Sequence, residues 1–293
     1  MIRESLATGL TLLALSCGTS TQSLDNKYNE LYCLRRTLVA TNGEKTIFNS
    51  DCYGTAFIIK DALAPETDNT LLATAAHVVK VELPAPPEGF NIINIVYTLV
   101  DGESDSDATD DIPVKVKGID SLDVALLEAD KRLDATTTNF CTTYFVGDTT
   151  VIMGYYKGET KTISKGITSS NVATFTNMVG VMTDASIYFG MSGGPAYIIN
   201  DNESCLAGVG IGFTDNGAFS IVSAPKRLEA LVDFYRDTPE LLEMQLQSKY
   251  PDIYKLQTTD MGDYINGKSN TNNTVAETVW EKNSVKTTEF RRF

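Results

Sequence analysis

Apolar residues in this chain come mostly in short runs broken by glycine, asparagine and aspartate. Leu31 to Ala40 and Cys52 to Lys60 flank Asn42-Gly43, a strong hairpin-turn signal, and are expected to pair as strands. Leu71 to Ala75 and Asn91 to Val100 follow with strand-like composition. Val114-Lys-Val-Lys alternates with period two, so one of its faces should be wet. Asp123-Val-Ala-Leu-Leu is an apolar run opened by a carboxylate. The second half repeats this texture. Phe140 to Phe145, Thr150 to Tyr155, Thr160 to Thr168, Val172 to Phe175, Val179 to Thr183, Ala196 to Ile199, Leu206 to Ile211 and Phe219 to Val222 are candidate strands. Many short strands at such spacing predict an all-β sandwich or barrel.

Helical period enters late. Ser223 can cap a helix, Pro225 suits its first turn, and Leu228, Leu231, Val232 and Tyr235 share one face. Thr238-Pro-Glu-Leu-Leu-Glu-Met opens a second helix with the same signals. From Pro251 the chain turns polar, so residues 251–293 are expected to be loosely ordered, with one short helix near Val275 to Trp280. At the other end, Arg3 and the apolar run Leu6 to Ser16 form a signal-peptide core, too short to span a bilayer. The run ends at Cys17 in the manner of a bacterial lipobox. Residues 1–17 are therefore read as a signal peptide with Cys17 a lipidation candidate; cleavage after Ser16 or Gly18 without lipid is the alternative. Residues 18–28 read as a linker.

The 293 residues, 42% hydrophobic and 21% charged, fit a globular protein. A net charge of −14 argues against nucleic acid as partner, because phosphate binding needs a basic face. Carboxylates alternate between Asp101 and Asp111, but Ala108 stands where a calcium loop needs glycine and Val114 where it needs glutamate. The run is read as a solvated acidic loop, and no metal or cofactor is expected.

Chemistry concentrates at Gly190-Met191-Ser192-Gly193-Gly194-Pro195. A serine hydroxyl needs a base to become a nucleophile. The single histidine is His77, and Asp123 or its neighbour Asp120 could orient it. Taken alone, a histidine at a strand end is an ordinary structural residue, and for Ser192 a serine in a glycine-rich turn is the alternative reading. Together, Thr74-Ala-Ala-His77, Asp123-Val-Ala-Leu-Leu and Gly190-Met-Ser192-Gly-Gly-Pro, in that order, resemble the trypsin-like (chymotrypsin-fold) serine proteases. Thr183-Asp-Ala-Ser-Ile-Tyr-Phe-Gly-Met-Ser192 is most similar to the bacterial high-temperature-requirement type. The resemblance covers about residues 30 to 235.

That resemblance implies two six-stranded antiparallel barrels, at about 29–132 and about 137–223, in a protease domain of 29–236 closed by a helix at 224–236. Residues 237–293 are read as a helical and polar extension, and about forty residues, 251–293, are too few for the PDZ domain that periplasmic relatives append, so none is expected. It implies a serine endopeptidase with an acyl-enzyme intermediate: Ser192 the nucleophile, His77 the base, Asp123 the orienting carboxylate, and the Gly190 and Ser192 N–H groups the oxyanion hole. It places Ser186 and Ile187 at the floor of the primary pocket and Ile211, Gly212, Phe213 and Ala218 along its walls. No countercharge lies among them, which predicts a small or medium apolar preference.

Two positions depart from animal relatives. Met191 replaces the aspartate that pairs with a newly cut N-terminus, so no activating cleavage is expected. Val78 replaces a disulfide cysteine. Of the remaining cysteines, a central Asn42-Gly43 turn sets Cys33 opposite Cys52, leaving Cys141 with Cys205, a pairing that the family pattern suits; four buried free thiols are the alternative. The expected partner is a protein or peptide substrate, with membrane contact only through an N-terminal lipid, and the expected location is exported: periplasmic, envelope-anchored or secreted. The competing reading is a catalytically idle protease-fold binding or scaffold module at the cell surface. An α/β-hydrolase esterase is disfavoured, because there the serine comes first in the chain.

Overall fold

A computed structural model describes residues 24, 26–63, 69–80, 83–101, 111–134, 139–175, 178–200, 203–214 and 217–257. The signal segment with Cys17, most of the linker, the interior of the acidic run and residues 258–293, including Val275 to Trp280, lie outside the described residues.

The first barrel holds β1 (Leu31–Thr41), β2 (Thr46–Leu63), β3 (Thr70–Ala75), β4 (Asn91–Val100), β5 (Ile112–Ile119) and β6 (Val124–Ala129). The second holds β7 (Thr149–Tyr156), β8 (Thr160–Phe175), β9 (Met178–Thr183), β10 (Pro195–Asn200), β11 (Glu203–Phe213) and β12 (Ser220–Ser223). Each closes on itself, in the orders β1-β2-β3-β6-β5-β4 and β10-β11-β12-β9-β8-β7; the second, read in reverse, repeats the permutation of the first. This is the double barrel that the family resemblance implies; the strand pattern alone predicts only a sandwich or barrel. β5 shows the alternation directly: Val114 and Val116 are buried while Pro113 and Lys115 are exposed. β3 is buried along its whole length, and Val124 to Leu127 of β6 beside it are buried as well.

Among the described residues, 24 and 26–29 are helical, and further helices are α1 (Ala76–Val79), α2 (Pro225–Asp237), α3 (Pro239–Lys249) and α4 (Pro251–Gln257). In α2 the predicted face is the buried one: Leu228, Leu231, Val232 and Tyr235 all point inward. Its start differs from expectation. Ser223 is the last residue of β12, where its hydroxyl accepts the Val209 N–H at 2.9 Å, so Ala224 takes the cap position. Thr238 does not cap α3 with its side chain either; its hydroxyl donates back to Phe234 O at 3.0 Å. Leu242 of α3 lies so close to Gly118 that a Cβ there would sit 2.5 Å from Leu242 Cδ2. Residues 251–257 are not a loose tail. The Gln257 side chain acts like an extra strand residue, accepting Val116 N–H at 2.9 Å and donating to Val116 O at 2.8 Å.

Three strand expectations need correction. Phe140 to Phe145 is not a strand: only Phe140 bridges to Leu206, and Phe145 is exposed. Thr160 to Thr168 and Val172 to Phe175 are one long strand, β8. The first hairpin turns over Asn42–Lys45, because Asn42 Oδ1 accepts the N–H groups of both Glu44 and Lys45 at 3.0 and 2.7 Å. With a register shift between Leu34 and Arg35, Cys52 then lies opposite Arg35, and Cys33 opposite Thr55. The two cysteines are therefore diagonal neighbours, 6.0 Å apart at Cα, and are nonetheless bonded. The second disulfide joins Cys141 to Cys205. Among the described residues no helix is long and apolar enough to cross a membrane, and no group of three or more His, Cys, Asp or Glu forms a metal site.

Candidate active site

Antiparallel pairing of β3 with β6 sets Ala75 opposite Val124, so the residues just beyond each, Ala76 and Asp123, are neighbours. Ala76 N–H donates to Asp123 O at 3.0 Å. Asp123 has φ +69, in the left-handed region that aspartate tolerates better than most residues. The carboxylate grips residue 77 twice: Oδ1 accepts the His77 N–H at 2.7 Å, and Oδ2 lies 2.7 Å from His77 Nδ1. A carboxylate only accepts, so Nδ1 carries the proton and Nε2 the free lone pair. The His77 side chain is 38% exposed and that of Asp123 21%. Below the turn, Tyr97 Oη donates to Val79 O at 2.9 Å. Burial pushes the Tyr97 phenol well up, against the smaller opposing effect of Arg36, so it remains a neutral donor. Asp120 faces elsewhere, towards Ser121 at 3.3 Å and Arg227 at 4.0 Å.

Ser192 lies in the loop between β9 and β10, and barrel one holds its backbone. Its C=O accepts the Thr55 N–H at 2.8 Å. Gly193 follows at φ +89, where a Cβ would sit 2.2 Å from Thr55 O and Thr74 Oγ1 and 2.9 Å from Ala75 N; no other residue fits. The serine backbone is thus packed against the residues that lead into His77. Among the described residues the Ser192 hydroxyl makes no hydrogen bond to His77. Such contacts commonly tighten only when substrate is bound.

The loop's N–H groups divide sharply. Those of Met191, Gly193 and Gly194 donate to Tyr188 O, Gly210 O and Met191 O at 3.0, 2.8 and 3.0 Å. Those of Gly190 and Ser192 have no acceptor among the described residues. Phe189 C=O accepts the Lys157 N–H at 2.7 Å, and in a trans peptide the Gly190 N–H must then point the opposite way. Two open donors one residue apart, next to a hydroxyl, are suited to an oxyanion. Met191 is wholly buried among Ile152, Val181, Ala185, Ile187, Ala196 and Val222, an apolar anchor with no charge to pair.

Of the expected pocket residues, Ile187 and Ile211 are buried, Gly212 is half-buried, and Ser186, Phe213 and Ala218 are exposed. Ile187 N–H donates to Ser220 Oγ at 2.9 Å. Beyond Gly210, β11 pairs with β12 on one side only among the described residues.

Sequence reasoning missed Thr55. It is fully buried, and its hydroxyl meets Gly190 O and Tyr155 N, each at 2.8 Å. A threonine inside a strand reads as a β-former, and nothing in the local pattern marks it out.

The family model of the trypsin-like peptidase domain matches residues 54–209. Among solved structures, the crystal structure of the Rv3671c protease from M. tuberculosis in its active form is similar, with a TM-score of 0.48 and 17% sequence identity over 72% of this chain and 82% of that chain. No curated protein matches.

Proposed function

This chain belongs to the trypsin-like peptidase domain family, and from that premise we propose that it is an exported serine endopeptidase working through His77, Asp123 and Ser192. Ser192 Oγ attacks the scissile carbonyl while His77 Nε2 takes its proton. His77 then returns that proton to the leaving amine, and water releases the acyl group by the same route. Asp123 keeps Nδ1 protonated and stabilises the imidazolium. The Gly190 and Ser192 N–H groups receive the developing negative charge.

The observation that carries this reading is the double grip of Asp123 on His77, which leaves Nε2 as the only free base of the ring. The open side of β11 beyond Gly210 supports a peptide laid down as an added strand. Ser186, Ile187, Ile211, Gly212, Phe213 and Ala218 are the proposed pocket, taking a small or medium apolar residue; no carboxylate among them would hold Lys or Arg. Two disulfides support an oxidising compartment, periplasmic or extracellular, with Cys17 the site of any lipid anchor.

The test is hydrolysis of casein and of an apolar peptide amide by wild type and Ser192→Ala. Cleavage by wild type, abolished in the folded alanine variant, is expected. Equal behaviour of the two would overturn the reading in favour of an idle binding module.

A further inference from the structure

We infer that Thr55 is a positioning residue for the anion-binding N–H pair of Gly190 and Ser192, holding from barrel one a loop that belongs to barrel two; this rests on the reading of Ser192 as nucleophile. The bond directions leave no ambiguity. Tyr155 N–H can only donate, so the Thr55 hydroxyl accepts from it at 2.8 Å. Its single proton is then committed to Gly190 O, also at 2.8 Å. The Thr55 backbone adds a third tie, from its N–H to Ser192 O at 2.8 Å, and its own C=O is fixed by Thr74 Oγ1 at 2.7 Å, three residues before His77.

These ties act on both ends of the open N–H pair. Gly190 has φ +89, a conformation with little steric resistance to rotation of the adjoining peptides. Lys157 N–H holds the peptide before Gly190 through Phe189 O; Thr55 Oγ1 holds the peptide after it through Gly190 O. With both carbonyls engaged, neither can turn into the space that the Gly190 and Ser192 N–H groups face. Tyr155 N–H, the donor to Thr55, lies on β7, so the hydroxyl also couples that strand to the loop. A Cβ at Gly154 would sit 2.9 Å from Thr55 Oγ1 and 2.8 Å from Met191 Cα, so β7 and the loop close tightly around this hydroxyl.

The test compares wild type, Ser192→Ala, Thr55→Ser and Thr55→Val. The readouts are steady-state hydrolysis of a peptide amide, normalised to folded protein, and inhibition by a peptidyl boronic acid, whose tetrahedral adduct places a charged oxygen where the oxyanion forms. Thr55→Val should lower kcat about 10- to 100-fold with KM changed less than about threefold, and weaken boronate inhibition by a similar factor to kcat. Thr55→Ser, which keeps the donor, should stay within about threefold of wild type. Should Thr55→Val not fold, Thr55→Cys is measured instead; its weaker thiol donor predicts an intermediate loss. The inference is overturned if a folded Val or Cys variant keeps wild-type kcat and boronate affinity, or if Thr55→Ser falls as far as Thr55→Val. If wild type is no faster than Ser192→Ala, the serine reading itself has failed and this inference goes with it. If wild type is faster and Thr55→Val matches it, only the inference fails.

Discussion

Asp123→Asn is the perturbation whose outcome the geometry constrains most tightly. Asp123 Oδ1 accepts the His77 N–H and Oδ2 faces Nδ1, both at 2.7 Å. An asparagine has one oxygen and one NH2. If its oxygen stays on the His77 N–H, the NH2 must face Nδ1. An NH2 only donates, so Nδ1 must accept, and the ring proton moves to Nε2. The lone pair that would take the serine proton is gone, while shape and volume hardly change. Asparagine also tolerates the φ of +69 at this position, so the fold should survive. A wrong tautomer in a triad of this kind costs about 10⁴ in kcat, or about 5 kcal/mol of transition-state stabilisation. The assay is peptide-amide hydrolysis beside a thermal melt, with Asp120→Asn as control. A folded Asp123→Asn enzyme within about tenfold of wild type, or an Asp120→Asn loss of equal size, would refute the reasoning.

Further outcomes follow from the same geometry. Because Met191 sits in an apolar cluster rather than awaiting an N-terminal charge, protein untrimmed ahead of Cys33 should be active as made; activity that appears only after trimming contradicts this. Removing Cys141–Cys205, with its separation of 64 residues, should cost about 4 kcal/mol, and removing Cys33–Cys52, separated by 19, about 3 kcal/mol. Denaturant titration of the double-serine variants checks the order. Burial raises the Glu128 carboxyl, but hydrogen bonds from Tyr235 and Asn69 and the charge of Lys117 outweigh it, and the net shift is downward from 4.5. A depressed folded pKa means stability present above pH 4.5 and lost as pH falls through the folded value, so Glu128→Gln should flatten the acid side of the melting-temperature profile. An unchanged profile removes Glu128 from the account.

Most of the strands were legible because their burial alternates or is continuous over the lengths that the composition marks. What stayed hidden was set by side chains acting on backbone at a distance. The Asn42 amide lengthens the first turn and moves the hairpin register, so the Cys33–Cys52 pair that counting along the chain finds is bonded on a diagonal and not directly across. Ser223 has the composition of a cap, but Val209 N–H claims its hydroxyl first. Cys141 is held by a disulfide and a backbone bond to Leu206 rather than by a strand ladder, so Phe140 to Phe145 misled. His77, Asp123 and Ser192 stood out by motif, and the pairing of β3 with β6 explains the first two meeting. Thr55 carried no such mark, since its importance lies in contacts with residues 100 and 135 positions away.

The central claim is that Ser192 is the activated hydroxyl of a His77–Asp123 pair. Reaction of the folded protein with a fluorophosphonate, followed by mass mapping of the modified peptide, tests it most directly. The account predicts one adduct, on Ser192, that forms in wild type and is lost or strongly slowed in Asp123→Asn. An unmodified protein, or an adduct on another side chain while Ser192 stays free, would contradict it.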